Sequence, residues 1–286
     1  MRVVVFGANG MLGKSLLREL AGDPSLEILG LMRGDPAASR PIAPPSRSNA
    51  IVEVSDMSDD GALLQRLRVF RPDAMINCVG WRRRPQGPAE AAAMIIANSV
   101  LPHRLAMMAG DLCARLIHIS SDGVFSGRMG GYREENAPDP IDAYGRSKLL
   151  GEPDHPLCLS LRLSLIGHAS KDSDQLVDWL LRQRGNVNGY RKAIFTGLPT
   201  VEVARVIRKV ILPRPDLAGV WHLAAAPISK FELLKLIAAR YGVDVEITPL
   251  DRPAIDRSLD GSRLRDATGY VAPPWPQLVD GMHEFR

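Results

Sequence analysis

Apolar positions along this chain fall into short continuous runs that alternate with longer amphipathic ones. The runs Arg2–Phe6, Glu27–Met32, Ala50–Val54, Ala74–Gly80, Arg115–Ile119 and Cys158–Leu163 are rich in Val, Ile and Leu and too short for helices. That is the pattern of strands buried on both faces. Between them, Met11 to about Ala21 repeats Leu12, Leu16, Leu17 and Leu20 on one helical face. A helix from about Ser58 to Phe70 begins on Ser58, Asp59 and Asp60, good first-turn residues. Residues 89 to 110 read as a further helix, with Pro102 bending it. Strand and helix in this alternation imply an α/β fold built on a right-handed, parallel, doubly wound sheet.

The second half is less regular. Asp174 to Arg184 predicts a helix with Leu176, Leu180 and a packing Trp179 on or near its apolar side. Residues 185 to 198 are rich in Gly and Asn and then carry Tyr190-Arg191-Lys192, which reads as a mobile loop able to close over a ligand. A helix from Thr200 to about Leu212 and a strand Val220–Leu223 follow. Ser229 with Glu232 is a capping box that opens a helix running to about Tyr241, and Val245–Thr248 is a last strand. The expected division is a nucleotide-binding domain over 1–167 and a mainly substrate-binding part over 168–286. Residues 199–212 and 220–223 are expected to pack back on the first domain. Residues 35 to 48, rich in Pro, Ser and Arg, read as a surface loop.

Composition narrows the classes. The chain has 286 residues, 45% hydrophobic and 24% charged, an ordinary globular balance. No stretch reaches the ~20 continuous apolar residues of a membrane helix, and the chain opens directly into a strand without room for a cleavable signal. The three cysteines, Cys78, Cys113 and Cys158, lie in or beside apolar runs without metal-ligand spacing, and the six histidines are scattered. A cytoplasmic protein without a structural metal is expected. The net charge of +4 could suit an anionic small molecule or nucleic acid, and the lack of aromatic-basic interleaving argues against nucleic acid.

Candidate chemistry starts at Gly7-Ala8-Asn9-Gly10-Met11-Leu12-Gly13, between the first strand and the first helix. Gly7 permits a tight turn, Gly10 lets the backbone approach a pyrophosphate, and Gly13 lets helix and strand pack closely. The anion would sit on the helix N-terminus, a Rossmann-type dinucleotide site. Arg33 follows the second strand, where an acidic residue would mark NAD and an arginine accommodates a 2′-phosphate. NADP(H) is thus preferred, with NAD(H) usable. Asp56, beside Met57 at the next strand end, could hydrogen-bond an adenine amino group or equally be a plain turn residue. Cys78, Val79 and Gly80 end the fourth strand where a cofactor could lie close. Trp81-Arg82-Arg83-Arg84 follows, read as a solvated loop with one arginine able to reach a phosphate.

Ser120 and Ser121 stand at the end of the fifth strand, and Tyr144 and Lys148 lie four residues apart on a predicted helix. Residues at that spacing share a helix face. An ammonium beside a phenol favours the phenolate, so a phenol so placed can exchange protons near neutral pH. A hydroxyl, a phenol and an amine in this order suit proton transfer to or from a carbonyl.

Together, Gly7-x-x-Gly10-x-x-Gly13, the Ser121 strand end and Tyr144-x-x-x-Lys148 resemble the extended short-chain dehydrogenase/reductase superfamily. Ile119-Ser120-Ser121-Asp122-Gly123-Val124-Phe125-Ser126-Gly127 and Tyr144-Gly145-Arg146-Ser147-Lys148-Leu149-Leu150-Gly151-Glu152 resemble its dTDP-4-dehydrorhamnose reductase branch, over nearly the whole chain. The resemblance implies that Tyr144 protonates the reduced carbonyl oxygen, that Lys148 binds the nicotinamide ribose, and that Ser121 hydrogen-bonds the substrate oxygen. It further implies that Asn98 supports the site and that Leu165 lies near the carboxamide. Asp122, Gly123, Val124, Phe125 and Arg257 would line the sugar-nucleotide site. Gly123 stands where the branch has tyrosine, which removes one wall of the sugar pocket. A dehydratase needs Asp-Glu after the hydroxyl residue, and only Asp122 is present. The expectation is a reductase of a nucleotide-linked keto-sugar. Its rivals are an NAD-dependent sugar-nucleotide epimerase and a non-catalytic dinucleotide-sensing protein. A homodimer paired through helices such as 89–110 is also expected.

Overall fold

The computed structural model describes residues 1–34, 49–169 and 174–285. The loop expected at 35–48 lies outside the described residues. In chain order the elements are β1 (Arg2–Phe6), α1 (Met11–Ala21), β2 (Glu27–Met32), β3 (Ala50–Val54), α2 (Asp60–Phe70), β4 (Ala74–Asn77), α3 (Pro88–Ile95), α4 (Leu101–Asp111), β5 (Arg115–Ile119), α5 (Ala143–Leu150) and β6 (Cys158–Arg162). There follow β7 (Leu165–Ile166), α6 (Leu176–Leu181), β8 (Gly185–Tyr190), β9 (Ala193–Phe195), β10 (Leu198–Pro199), α7 (Thr200–Val206) and β11 (Gly219–His222). The chain ends with β12 (Ile228–Ser229), α8 (Lys230–Tyr241), β13 (Val245–Leu250), β14 (Ile255–Asp256), α9 (Ser262–Thr268) and α10 (Trp275–Glu284).

Seven strands form one sheet in the order β11-β6-β5-β4-β1-β2-β3. The pairs β1–β2, β1–β4, β2–β3, β4–β5 and β5–β6 are parallel, with Val5 opposite both Gly30 and Ile76. The order reverses at β1, the switch point at whose carboxyl edge open α/β sheets bind ligands. Strand alternation puts Val4, Phe6, Leu29, Leu31, Met75 and Leu116 on one face, packed with Leu63 and Leu67 of α2 and Leu101 and Leu105 of α4. On the other face the absent side chain of Gly30 leaves room for Ala8 and Leu17, so α1 can pack close.

Compact packing divides the chain into two units that interleave along the sequence. The first holds Met1–Ser120, Arg146–Leu161 and Ala204–Val220, and the second holds Ser121–Gly145, Arg162–Val203 and Trp221–Arg286. The chain leaves the first unit at Ser121 because the residues beyond β5 pair with late segments. Tyr132 N donates to Ser258 O at 2.8 Å and Asp256 N to Gly127 O at 2.8 Å. In the first unit, Arg115 donates to Ile211 O and Leu217 O, both at 2.7 Å, and Arg208 of the turn after α7 pairs with Glu19 of α1 at 2.8 Å.

Three expectations change. The 185–198 segment is not a loop: β8 runs parallel to β13, from Gly185 opposite Val245 to Tyr190 opposite Leu250, and β9 and β10 follow it. Its glycines serve close packing, since a Cβ on Gly189 would meet Phe231 and Ile247 at 2.7–3.0 Å. The 89–110 helix runs on from Pro88 to Asp111 but widens to a π turn at Ile96–Val100, directly before Pro102, whose ring cannot donate to the preceding turn. The 174–184 helix is shorter, Leu176–Leu181. Among the described residues, Pro88–Asp111 is the helical run long and apolar enough to span a membrane by composition. Yet 44% of its most apolar window is buried in the fold.

Candidate functional site

The glycine turn has the conformation that the sequence called for. Gly7 has φ +75°, and its N–H and that of Ala8 donate to Leu31 O at 2.9 and 3.1 Å. A Cβ on Gly13 would lie 2.1 Å from Gly7 O, so only glycine lets α1 start this close to β1. Gly10 is the N-cap of α1, with no side-chain cap and no acidic residue in the first turn. The first N–H groups of α1 are thereby left for an anion, where the helix dipole favours negative charge. This turn fits a dinucleotide pyrophosphate.

Other predicted cofactor residues take mixed places. Met11 is half-buried at the mouth of the turn, while Leu12 and Met57 are buried and packed, so only their main chain could face a ligand. Asn9 Nδ2 donates to Arg33 O at 3.4 Å, tying the turn to the end of β2, and the Arg33 residue is exposed. The carboxylate of Asp56 is engaged locally, accepting from Ser58 N at 2.8 Å and Ser58 Oγ at 2.6 Å, which holds its pKa below the ordinary value. The main chain of Cys78 and Val79 lies 3.1–3.3 Å from where a Gly7 Cβ would be, so β4 ends against the glycine turn. Burial pushes the Cys78 thiol up to about 12, which keeps it protonated and inert. Gly80 has room beside Asn98 Oδ1. Leu165 is half-buried on β7, paired with β10.

Asn98 turns out to be a clamp. It lies in the π turn, fully buried, with Oδ1 accepting from Trp81 N at 2.7 Å and Nδ2 donating to Trp81 O at 2.8 Å and to Ser147 Oγ at 2.9 Å. Its amide is thus occupied within the protein and holds the β4–α3 segment to α5. A Cβ on Gly151 would lie only 1.8 Å from Asn98 O, which explains the glycine closing α5.

In the first unit Lys148 is 3% exposed, with Nζ donating to Ile119 O at 2.6 Å and 3.4 Å from His118 Nε2. Burial brings its pKa down to about 8, against the raising influence of Glu152 and Cys78. Ser120 Oγ donates to Glu152 Oε1 at 2.6 Å, so this hydroxyl is held. Tyr144 stands one turn before Lys148 on the same helix.

In the second unit Ser121 caps the short turn Asp122–Val124: its Oγ accepts from Gly123 N at 3.0 Å and donates to Asp122 Oδ1 at 3.2 Å. The position of a Cβ on Gly123 lies 3.2 Å from both Ser121 Oγ and Tyr144 Cε1, so the missing side chain brings hydroxyl and phenol ring together. Gly145 is equally constrained, its Cβ position 2.0 Å from Gly123 O. Burial pushes the Asp122 carboxyl up, opposed by Arg257 and by hydrogen bonds from Ser121 and Ser164. Arg257 Nη2 reaches Asp142 Oδ2 at 3.5 Å. The side chains of Val124 and Phe125 point into the core of the second unit. Both are fully buried, and Phe125 stacks on Tyr132 with centroids 4.2 Å apart beneath the Arg162 guanidinium at 5.2 Å. Sequence reasoning missed His118, Asn77, Glu152 and Asp142. For His118 the signal was present, a histidine in the middle of a fully buried strand.

Residues 1–282 match the RmlD substrate binding domain family, and the chain belongs to that family. The methionine adenosyltransferase 2 subunit beta of Xenopus laevis is 30% identical over 98% of this chain and 89% of that protein. A dTDP-4-keto-6-deoxy-D-glucose reductase of Streptomyces niveus is 28% identical over 88% of this chain and 84% of that protein. Among solved structures, dTDP-4-dehydrorhamnose reductase from Bacillus anthracis in complex with NADP superposes with a TM-score of 0.80 at 22% identity, covering 100% of this chain and 99% of that one.

Proposed function

From membership of that family and the geometry above, we propose that the protein is a nicotinamide-dependent reductase of a nucleotide-linked keto-sugar. The observation that carries this reading is the placement of Ser121 Oγ and the Tyr144 ring about the bare Gly123, with Lys148 one turn further along α5. A sugar-nucleotide reductase of Streptomyces niveus among the relatives, and a reductase structure holding NADP, support it.

The glycine turn and the uncapped start of α1 would hold the dinucleotide pyrophosphate, and Arg33 would favour NADP(H), with NAD(H) also accepted. When bound, the nicotinamide supplies a hydride to the ketone carbon. Ser121 would hold the ketone oxygen through its O–H, and Tyr144 would deliver a proton to that oxygen from its phenol. Lys148 would hold the cofactor ribose. Asp122, Gly123 and Arg257 belong to the second unit and would orient the sugar nucleotide, Arg257 through its phosphates. With the hydroxyls held before reaction, most of the acceleration comes from positioning. An NAD-dependent epimerase on the same residues would instead retain oxidised cofactor through purification.

The test is spectroscopic and kinetic. NADPH and NADH are titrated separately, and turnover is then measured on dTDP-4-dehydrorhamnose and other nucleotide-linked keto-sugars. Tyr144→Phe is expected to bind cofactor as the wild type does and lose turnover. Retained turnover would sink the assignment of the proton donor. A second reading is favoured by several relatives that are beta subunits of methionine adenosyltransferase 2: a dinucleotide-binding partner without turnover of its own. Cofactor binding with no reductase activity on any nucleotide sugar, together with co-purification of such an enzyme, would favour it. We also place the protein in the cytoplasm as a homodimer, paired through the exposed Ile95, Ile96, Val100 and Met107. Sedimentation as a monomer at micromolar concentration would remove the dimer.

A further inference from the structure

Behind Lys148, the first unit contains a run of buried polar side chains with a fixed direction. Val79 N donates to Asn77 Oδ1 at 3.1 Å, so the oxygen of that carboxamide must face Val79. Asn77 Nδ2 therefore faces His118 Nδ1, 3.1 Å away. An amide NH2 can only donate, so Nδ1 accepts and carries no proton. His118 is fully buried, and burial, with Lys148 and His103 adding to it, holds its pKa well below the usual imidazole value. It is neutral, with one N–H, and that N–H is on Nε2. Nε2 is the atom that faces Lys148 Nζ at 3.4 Å, while Nζ donates to Ile119 O.

An imidazole N–H aimed at an ammonium repels it, whereas the same N–H aimed at a neutral amine makes a hydrogen bond. We propose that His118, oriented by Asn77, is a positioning residue that stabilises the amine form of Lys148 and so sets the pH at which this lysine changes charge. The lysine's other titratable neighbours, Glu152 after α5 and Cys78 after β4, act in the opposite direction, and His103 on α4 adds to the lowering of the His118 pKa. Burial by itself lowers the Lys148 pKa to about 8, and the His118 N–H would act in the same direction. The tautomer and the lysine titration are properties of the folded protein. Only their effect on turnover rests on the reductase reading, where loss of the ammonium would form the alkaline limb of the pH profile.

The test uses the full-length protein in two steps. A long-range proton–nitrogen correlation of His118 at pH 7 is expected to show a protonated Nε2 and a bare Nδ1. A proton on Nδ1 would overturn the proposal without any variant. Carbon-13-labelled lysine then gives the Lys148 titration, assigned by its absence in Lys148→Arg. Asn77→Ser supplies a hydroxyl that can accept from Nδ1–H, freeing the Nε2 lone pair to accept from the ammonium. Its expected effect is a Lys148 midpoint raised by about one pH unit. His118→Gln, which also places a carbonyl oxygen within reach of Nζ, is expected to act in the same direction. A midpoint that stays in place after the tautomer has changed would overturn the coupling. If tautomer and midpoint behave as stated but no substrate turns over, the reductase reading fails and this inference stands.

Discussion

Asn98 holds Trp81 by both main-chain groups, accepting from its N–H at 2.7 Å and donating to its carbonyl at 2.8 Å. The same carboxamide donates to Ser147 on α5, so one buried side chain joins the end of β4 to the helix that bears Tyr144 and Lys148. The wide turn in the helix around Asn98 is what aims it there, since such turns recur where a helix must present a side chain out of phase.

Asn98→Ala removes the side chain that pairs with both main-chain groups of Trp81. The expected cost is about 2–3 kcal/mol of folding stability, read as a lower urea midpoint. Turnover should fall with dinucleotide affinity nearly retained, because the glycine turn is untouched. A variant as stable as the wild type would show that water replaces the clamp.

Gly13→Ala places a Cβ 2.1 Å from Gly7 O, a backbone atom that cannot move without moving the turn. Dinucleotide binding should weaken more than about tenfold, or ~1.4 kcal/mol, by fluorescence titration. Gly10→Ala, whose Cβ would be 3.1 Å from Gly7 O, should be milder. Equal effects of the two would argue against close helix–strand packing as the reason for Gly13.

Gly123→Ala tests the meeting of hydroxyl and phenol. Its Cβ would press on Ser121 Oγ and on Tyr144 at 3.2–3.3 Å, with no backbone strain because φ is not positive. Expected is a loss in kcat of roughly tenfold, about 1.4 kcal/mol in the transition state, with cofactor affinity unchanged. An unchanged kcat would mean that the ring and the hydroxyl are not held by this contact.

Lys148→Met should stabilise the fold while removing activity. The folded pKa of about 8 lies below the ordinary lysine value of 10.5, so between these the unfolded chain binds more protons and stability rises with pH. Below about pH 8 the full cost of the buried ammonium is present, of order 3 kcal/mol. The methionine variant should therefore melt a few degrees higher at pH 7, with the difference shrinking toward pH 10. A gap independent of pH would show that the lysine is not the titrating group.

What the linear chain made legible was local. Gly7, Gly10 and Gly13 lie within one turn, and Tyr144 and Lys148 within one helical repeat, so spacing alone predicts which backbone conformations and shared faces they need. The strand runs of the first half were equally readable, because strands buried on both faces must be continuously apolar. Asn98 was singled out for its place in a helix, yet its role as a clamp depends on Trp81 and Ser147, which sequence spacing does not bring near.

The rest required contacts between distant segments. Val124 and Phe125 stand in a motif, and the stacking of Tyr132 on a fully buried Phe125 cannot be read from it. Gly185–Tyr190, with its Gly and Asn, reads as a loop until β13 pairs with it from some sixty residues later and satisfies its backbone. The division of the chain at Ser121 follows from pairing with Asp256–Ser258, not from any local break. Sequence by itself determined the glycine turn, the first sheet's strands and the order of hydroxyl, phenol and amine. Only the tertiary structure decided which of those groups are buried, which proton His118 keeps and how far burial lowers Lys148, because desolvation and hydrogen-bond direction depend on neighbours in space.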